Sequence, residues 1–242
     1  MLLLAVDTST RAGSVAVLRD GRLLGARESC AGEPHASRLF VDLQSLLDEL
    51  SISLTMCELF AVAAGPGSFT GLRVGLTAAK AWAEAFGRPV VAVSSLEAIA
   101  LQALKIPGLP LGTSVAAVQD ARRGHVFGRL YDCGAGAADP LKPLGEEVLL
   151  PAPEFVSLVA GQVGTRSPVF VSPSLEPIRS ALEGSALAHA RIEAVSGMLA
   201  PFIGEIGYTR ALRGQVIDAL QLDANYIRRA DAETKWQDRP LP

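Results

Sequence analysis

Apolar residues along the chain recur with two different periods, and the order in which those periods alternate predicts the fold. Residues 2–6 form an unbroken apolar run of strand length that stops at Asp7. Residues 14–18 and 23–27 flank Asp20-Gly21, a dipeptide suited to the left-handed backbone of a tight hairpin turn. From 36 to 50 the period changes: Leu39, Phe40, Leu43, Leu46, Leu47 and Leu50 share one face of a helix. Residues 59–64 then predict a second buried strand, 70–86 a second helix and 89–93 a third strand. Ser94-Ser-Leu-Glu97 fits a capping box that opens a third helix. Strand, hairpin, helix, strand, helix, strand, helix is the order of a mixed α/β layer whose parallel strands join through helices.

Residues 102–113 hold two prolines and two glycines and mark a joint. Beyond it the opening pattern returns: "SVAAVQD" then "GHVFGRLY" echoes "LLLAVD" then "GSVAVL", with Asp120 in the place of Asp7. A Gly/Ala/Pro-rich loop over 133–145, a strand at 147–150, a helix near 154–159, a strand at 169–172 and helices toward Arg213 complete a reduced copy. The boundaries are therefore a first lobe at 1–101, a smaller second lobe at 113–230, and a polar, loose tail at 231–242. Two lobes that each open with strand, aspartate and hairpin predict an α/β fold. Its architecture is two ribonuclease-H-like lobes of the actin/Hsp-seventy/sugar-kinase superfold, mixed sheets flanked by helices. That is a statement about fold alone.

The chemistry-bearing stretch is "AVAAGPGSFTGLRVGLTAAKAWA" at 61–83. It lacks the Lys-Ser/Thr pair of a Walker loop and is one residue too long for a dinucleotide loop. No serine sits in a nucleophile elbow. Two readings stay open for each candidate: turn capping or contact with a phosphate at a helix N-terminus for Ser68 and Thr70, and turn capping or the place where active members of the superfold hold Mg–nucleotide for Asp7 and Asp120. The helix behind the loop has two apolar faces. Leu72, Leu76, Ala79, Trp82, Ala83 and Phe86 are bulky or central; Val74, Ala78, Ala81 and Ala85 form a second, small-residue face. A helix lying on one sheet needs a single apolar stripe, so the second face predicts a neighbouring helix or another chain. Arg73 and Lys80 on the intervening polar strip, and Arg122 and Arg123 after the second copy's first strand, are candidates for contact with a partner or RNA.

Composition narrows the classes. In 242 residues, about half apolar and a fifth charged, the net charge is −3, which gives no global attraction to nucleic acid. Three cysteines far apart suit a reducing compartment. No apolar run reaches the length of a membrane helix, and the N-terminus lacks a signal-peptide pattern, which predicts a cytoplasmic protein. The three histidines never approach one another in sequence, so no metal centre is expected.

Taken in order, "LLAVDTST…GSVAVL", "PHASRLFVDLQSLL", "AVAAGPGSFTGLRVGLTAAKAWA", "PVVAVSSLEAIA", "VQDARRGHVF" and "LDANYIRR" resemble the bacterial TsaB (YeaZ) family. The resemblance spans the chain to about Arg229, and its most specific block is GPGSFTGLRVGLT. It implies a non-catalytic scaffold without a cofactor of its own. Such a subunit dimerises with the catalytic paralogue TsaD and recruits the ATPase TsaE. The complex places threonylcarbamoyl on adenosine 37 of tRNAs that read codons starting with A. The chain then meets tRNA only indirectly, and ATP or ADP belongs at the complex junction. The resemblance also implies docking through the first two helices, hence through Leu39, Leu43, Leu46, Val74, Ala78, Ala81 and Ala85; a homodimer through the same faces would compete. The alternative is an autonomous small-molecule kinase or ATPase of the same superfold.

Overall fold

In a computed structural model that describes residues 1–29, 35–110, 112–134 and 140–227, two five-stranded sheets share one topology. The first contains β1 (Leu2–Asp7), β2 (Ser14–Arg19), β3 (Arg22–Glu28), β4 (Leu59–Gly65) and β5 (Val90–Ser94) in the order β3-β2-β1-β4-β5. The second contains β6 (Ser114–Arg122), β7 (His125–Cys133), β8 (Leu141–Pro151), β9 (Val169–Ser172) and β10 (Arg191–Ala194), and reads β8-β7-β6-β9-β10 from the corresponding edge. In each, the opening strand pairs antiparallel with its hairpin and parallel with the strand that follows the first helix. The echo read from the sequence is therefore a duplicated unit.

Local chemistry accounts for the elements. Asp20 and Gly21 both adopt positive φ, 50° and 76°, closing the β2–β3 hairpin as its dipeptide predicts. Helix α1 is His35–Leu50 and α2 is Phe69–Phe86, which starts with the Ser68 hydroxyl accepting from the Gly71 N–H at 3.2 Å and ends at a left-handed Gly87. The capping box at α3 (Ser95–Leu101) is half formed. Ser94 accepts from the Glu97 N–H at 3.2 Å, but the Glu97 carboxylate turns away to Arg210. In the second unit α4 (Ala152–Val163) and α5 (Glu176–Leu182) flank β9, and α6 (Ala200–Leu212) follows β10. Strand β8 is much longer than the run at 147–150 suggests, because alternation with exposed Lys142, Glu146 and the half-buried Leu149 hides it.

The sequence boundary at 101–113 separates the sheets but not the helices. Ile203 and Ile206 of α6 join Leu3, Ala5, Leu59 and Ala61 of the first sheet in one core, which also holds Leu96 and Ile99 of α3 with Val115 and Ala117 of the second. Each unit thus lends its last helix to the middle of the molecule. Hydrogen bonds stitch the crossing: Gln102 exchanges two with Ser196, at 2.8 and 3.0 Å, and the Ser14 hydroxyl accepts from the first N–H of α6 at 3.0 Å. A C-terminal strap, 213–227, leaves α6 and returns across the first lobe. Ile217 pairs antiparallel with Val90, covering the open edge of β5, and Leu222 is fully buried. Among the described residues no helix is long and apolar enough to cross a membrane. The tail at 231–242 lies outside the described residues.

Candidate functional site

The glycine-rich stretch brings α2 down hard on the β1–β2 connection. A Cβ on Gly67 would lie 2.5 Å from the Ser9 carbonyl oxygen, and one on Gly75 would lie 2.3 Å from Thr8 Oγ1. The Ser68 N–H donates to that same Ser9 carbonyl at 2.9 Å. These glycines permit a backbone approach that any side chain would block. Asp7 is fully buried in the same place, and its carboxylate accepts from the Ser9 N–H at 2.8 Å, the Ser9 hydroxyl at 2.6 Å and the Thr10 hydroxyl at 3.0 Å. It organises the turn. Asp120 lies two residues before the end of the equivalent strand but is exposed, and accepts from the Arg122 N–H at 2.7 Å. Gln119 beside it donates across the lobes to the Ser9 carbonyl at 3.2 Å.

Outward from this turn, α1 and α2 lie side by side and leave an open groove of about 460 Å³ lined by Ala36, Phe40, Phe69, Thr70, Arg73, Val74, Thr77, Ala78 and Ala81. Phe40 and Val41 stand more than half exposed, at 53% and 55%. The structure corrects the expected residues of this face. Leu39, Leu43 and Leu46 point into the first lobe's core, because the apolar stripe of α1 is what holds it to the sheet. The helix presents Phe40 and Val41 instead. On α2, Ala78 is buried within the chain and Val74 half-buried, while Ala81 and Ala85 remain at the surface. The small-residue face thus serves two neighbours: α1 along part of its width, solvent along the rest. The Phe40 ring meets Trp82 edge-on, with centroids 6.1 Å apart, and Phe60 supports Trp82 from below.

The strap closes the end of the groove. Asn225 donates its N–H to the Ala64 carbonyl at 2.7 Å and its side-chain amide to Glu147 Oε2 at 2.5 Å, which lays the Tyr226 ring against Phe69 with centroids 5.0 Å apart. Arg73 stacks 3.8 Å above Phe69 and donates from Nε to the Tyr226 hydroxyl at 3.3 Å. Lys80 is half-buried on the polar strip. Arg122 and Arg123 are exposed at the tip of the β6–β7 hairpin, both at positive φ.

A second cluster, missed in the sequence, lies where the lobes meet. Glu147 on β8 accepts from the Ser94 hydroxyl and faces Arg129 at 3.8 Å; Glu97 pairs with Arg210 at 2.5 Å, and Arg210 also donates to the Ala92 carbonyl at 2.7 Å. Burial raises both carboxyl pKa values, against the pull of the arginines, and raises the buried Tyr131 hydroxyl as well. Its members come from four separate stretches, 92–97, 129–131, 147 and 210, so no local spacing announces the whole cluster. Cys57 and Cys133 are buried thiols pushed up to about 11 by desolvation, small apolar fillers in chemical terms. Among the described residues no group of three His, Cys, Asp or Glu side chains converges as metal ligands would.

Known proteins share this arrangement. YeaZ from Pseudomonas aeruginosa superposes with a TM-score of 0.76 at 30% identity, over 93% of this chain and 99% of that one. The chain belongs to the TsaB/YeaZ family. The Bacillus subtilis tRNA threonylcarbamoyladenosine biosynthesis protein TsaB is 28% identical over 98% of both chains. The Escherichia coli protein of the same name is 38% identical over 54% of this chain and 55% of its own. Residues 28–147 also match the model of a related family, TsaD, the tRNA N6-adenosine threonylcarbamoyltransferases. At 11% identity and a TM-score of 0.51, component A of the Acidaminococcus fermentans (R)-2-hydroxyglutaryl-CoA dehydratase shares the fold alone, over 88% of this chain and 99% of that one.

Proposed function

We propose that this TsaB-family chain is the docking subunit of the machinery that makes threonylcarbamoyladenosine at position 37 of tRNA, and that it performs no chemistry itself. The observation that carries the reading is the exposed apolar groove of α1 and α2, in a chain whose residues across both helices match the TsaD family. A TsaD-family partner with the equivalent helix pair can face this one about a two-fold pseudo-axis, so that Phe40, Val41, Ala81 and Ala85 leave water on both sides at once. An ATPase of the TsaE type then joins the assembled pair, and ATP or ADP is held at the junction rather than by this chain alone. Transfer chemistry stays with the partner, and tRNA is met through the complex. Asp7 supports the division of labour: its carboxylate is engaged by Ser9 and Thr10 within its own turn.

Three measurements test this. Depletion of the protein followed by nucleoside mass spectrometry of tRNA is expected to abolish threonylcarbamoyladenosine; retained modification overturns the reading. Ala81→Glu places a carboxylate on the exposed floor of the groove without entering the core. It is expected to eliminate co-elution with the TsaD-family protein of the same genome while leaving circular dichroism unchanged. ATP hydrolysis by the isolated chain that disappears in Asp7→Ala would replace this reading with an autonomous ATPase.

A further inference from the structure

Apart from Thr70, Arg73 and Thr77, the described residues that line the groove are apolar. Among the described residues that line it, Arg73 alone carries a charge, and it is held in place on two sides. The Phe69 ring lies under its guanidinium at 3.8 Å and the Tyr226 hydroxyl accepts from Nε at 3.3 Å. Tyr226 is fixed in turn by the strap, through its own ring on Phe69 and through Asn225 bound to Ala64 and Glu147. A surface arginine ordinarily loses much side-chain freedom on pairing, which cancels most of what the pair gains. Here that freedom is already restricted in the free chain. The stack and the Nε bond take up one edge of the guanidinium and leave the two terminal nitrogens as a planar fork at the end of an apolar channel. Such a fork matches a carboxylate in two parallel hydrogen bonds.

We propose that Arg73, clamped between Phe69 and Tyr226, receives an aspartate or glutamate carboxylate from the docking helices of the TsaD-family partner and sets which partner, and in which register, the groove accepts. The inference rests on the docking reading above. Charge complementarity argues for it: a partner that covers this groove with only apolar atoms would bury an unpaired guanidinium, which is costly, whereas one carboxylate at that end satisfies it. A chain with a hydrophobic or basic residue there is rejected by the same cost. The C-terminal strap, remote in sequence from α2, thereby becomes part of the recognition surface. The GLRVG segment at 71–75 and the LDANYI segment at 222–227 are one site in space.

Titration calorimetry of the full chain with the TsaD-family protein of the same genome tests the proposal. Arg73→Gln is expected to weaken binding on the order of 10- to 100-fold, as loss of a desolvated charge pair does. Arg73→Lys is expected to weaken it by about 10-fold, because an ammonium keeps the charge but neither the stack nor the fork. Tyr226→Phe, which frees Nε, is expected to give a loss of about threefold. Arg73→Glu is then combined with each Asp→Arg or Glu→Arg substitution on the partner's docking helices, and one combination is expected to restore binding. Circular dichroism of each variant confirms an intact fold. If Arg73→Gln binds within about twofold of the parent while Ala81→Glu abolishes binding, Arg73 is an ordinary solvated charge and the inference falls alone. If Ala81→Glu also binds normally, the docking reading falls and takes this one with it.

Discussion

The two units share a strand order, a helix order and an opening aspartate, yet their outer helix pairs differ. In the first, α1 and α2 run 16 and 18 residues and leave Phe40 and Val41 half in water. In the second, α4 runs 12 and α5 only 7, and neither exposes a large apolar side chain among the described residues. The aspartates diverge in parallel: Asp7 is buried and accepts from Ser9 and Thr10, Asp120 is exposed at a hairpin. Topology alone therefore does not leave an exposed apolar face. The first lobe builds one by lengthening α2, seating its N-terminal turn on glycines, and leaving its flank apolar; the second spends its apolar residues inside its own core.

Substitutions at matched places sharpen that contrast. The largest effect is expected at Gly75, where a side chain meets Thr8: Gly75→Val should cost about 3 kcal/mol or more by overpacking. Gly161 in α4 has nothing within 4 Å of its would-be Cβ, so Gly161→Ala should be neutral or stabilise by about 0.5–1 kcal/mol. Urea unfolding of both variants checks the pair; equal destabilisation would mean the close approach is not what the first lobe depends on. Next come the aspartates. Asp7→Ala strands the donors of Ser9 and Thr10 in a buried turn and should cost about 2 kcal/mol, whereas Asp120→Ala at the surface should stay within about 0.5 kcal/mol of the parent.

The smallest effect is expected at the lobe junction. The folded chain holds the Glu147 proton more tightly than the unfolded chain, since burial raises the carboxyl above its ordinary range. That stabilisation is fully present below the unfolded-state value and is lost as pH rises through the raised one. Glu147→Gln stays neutral throughout, so its melting temperature relative to the parent should climb as pH is raised from acid toward neutrality. A difference that falls instead would mean that Ser94, Arg129 and Asn225 favour the ionised form more strongly than burial opposes it.

Much of the architecture is legible in one dimension because it depends on short-range periodicity. Strands β1, β2, β4 and β5 and helices α1 and α2 follow from runs of period two or 3.6 and from caps such as Ser68 and Gly87. The duplication shows because each unit repeats strand, aspartate and hairpin at matching offsets. The site is harder to read. Leu39, Leu43 and Leu46 are as apolar as Phe40 and Val41, and periodicity shows that α1 is amphipathic without saying which edge of its stripe stays uncovered. Glu97 fits a capping box equally well whether its carboxylate returns to Ser94 or leaves for Arg210, 113 positions away.

By itself, then, the sequence determined the two-lobed α/β plan, the absence of the familiar phosphate-loop templates, and the two-faced character of α2, all of which depend on neighbours a few residues apart. Tertiary structure decided what those faces meet. It exchanged α3 and α6 between the lobes, buried Ala78 while leaving Ala81 in water, and brought Tyr226 to Arg73 across 153 positions. The physical reason is that burial and hydrogen bonding act through space, and chain distance carries no record of which surfaces a returning strap will cover.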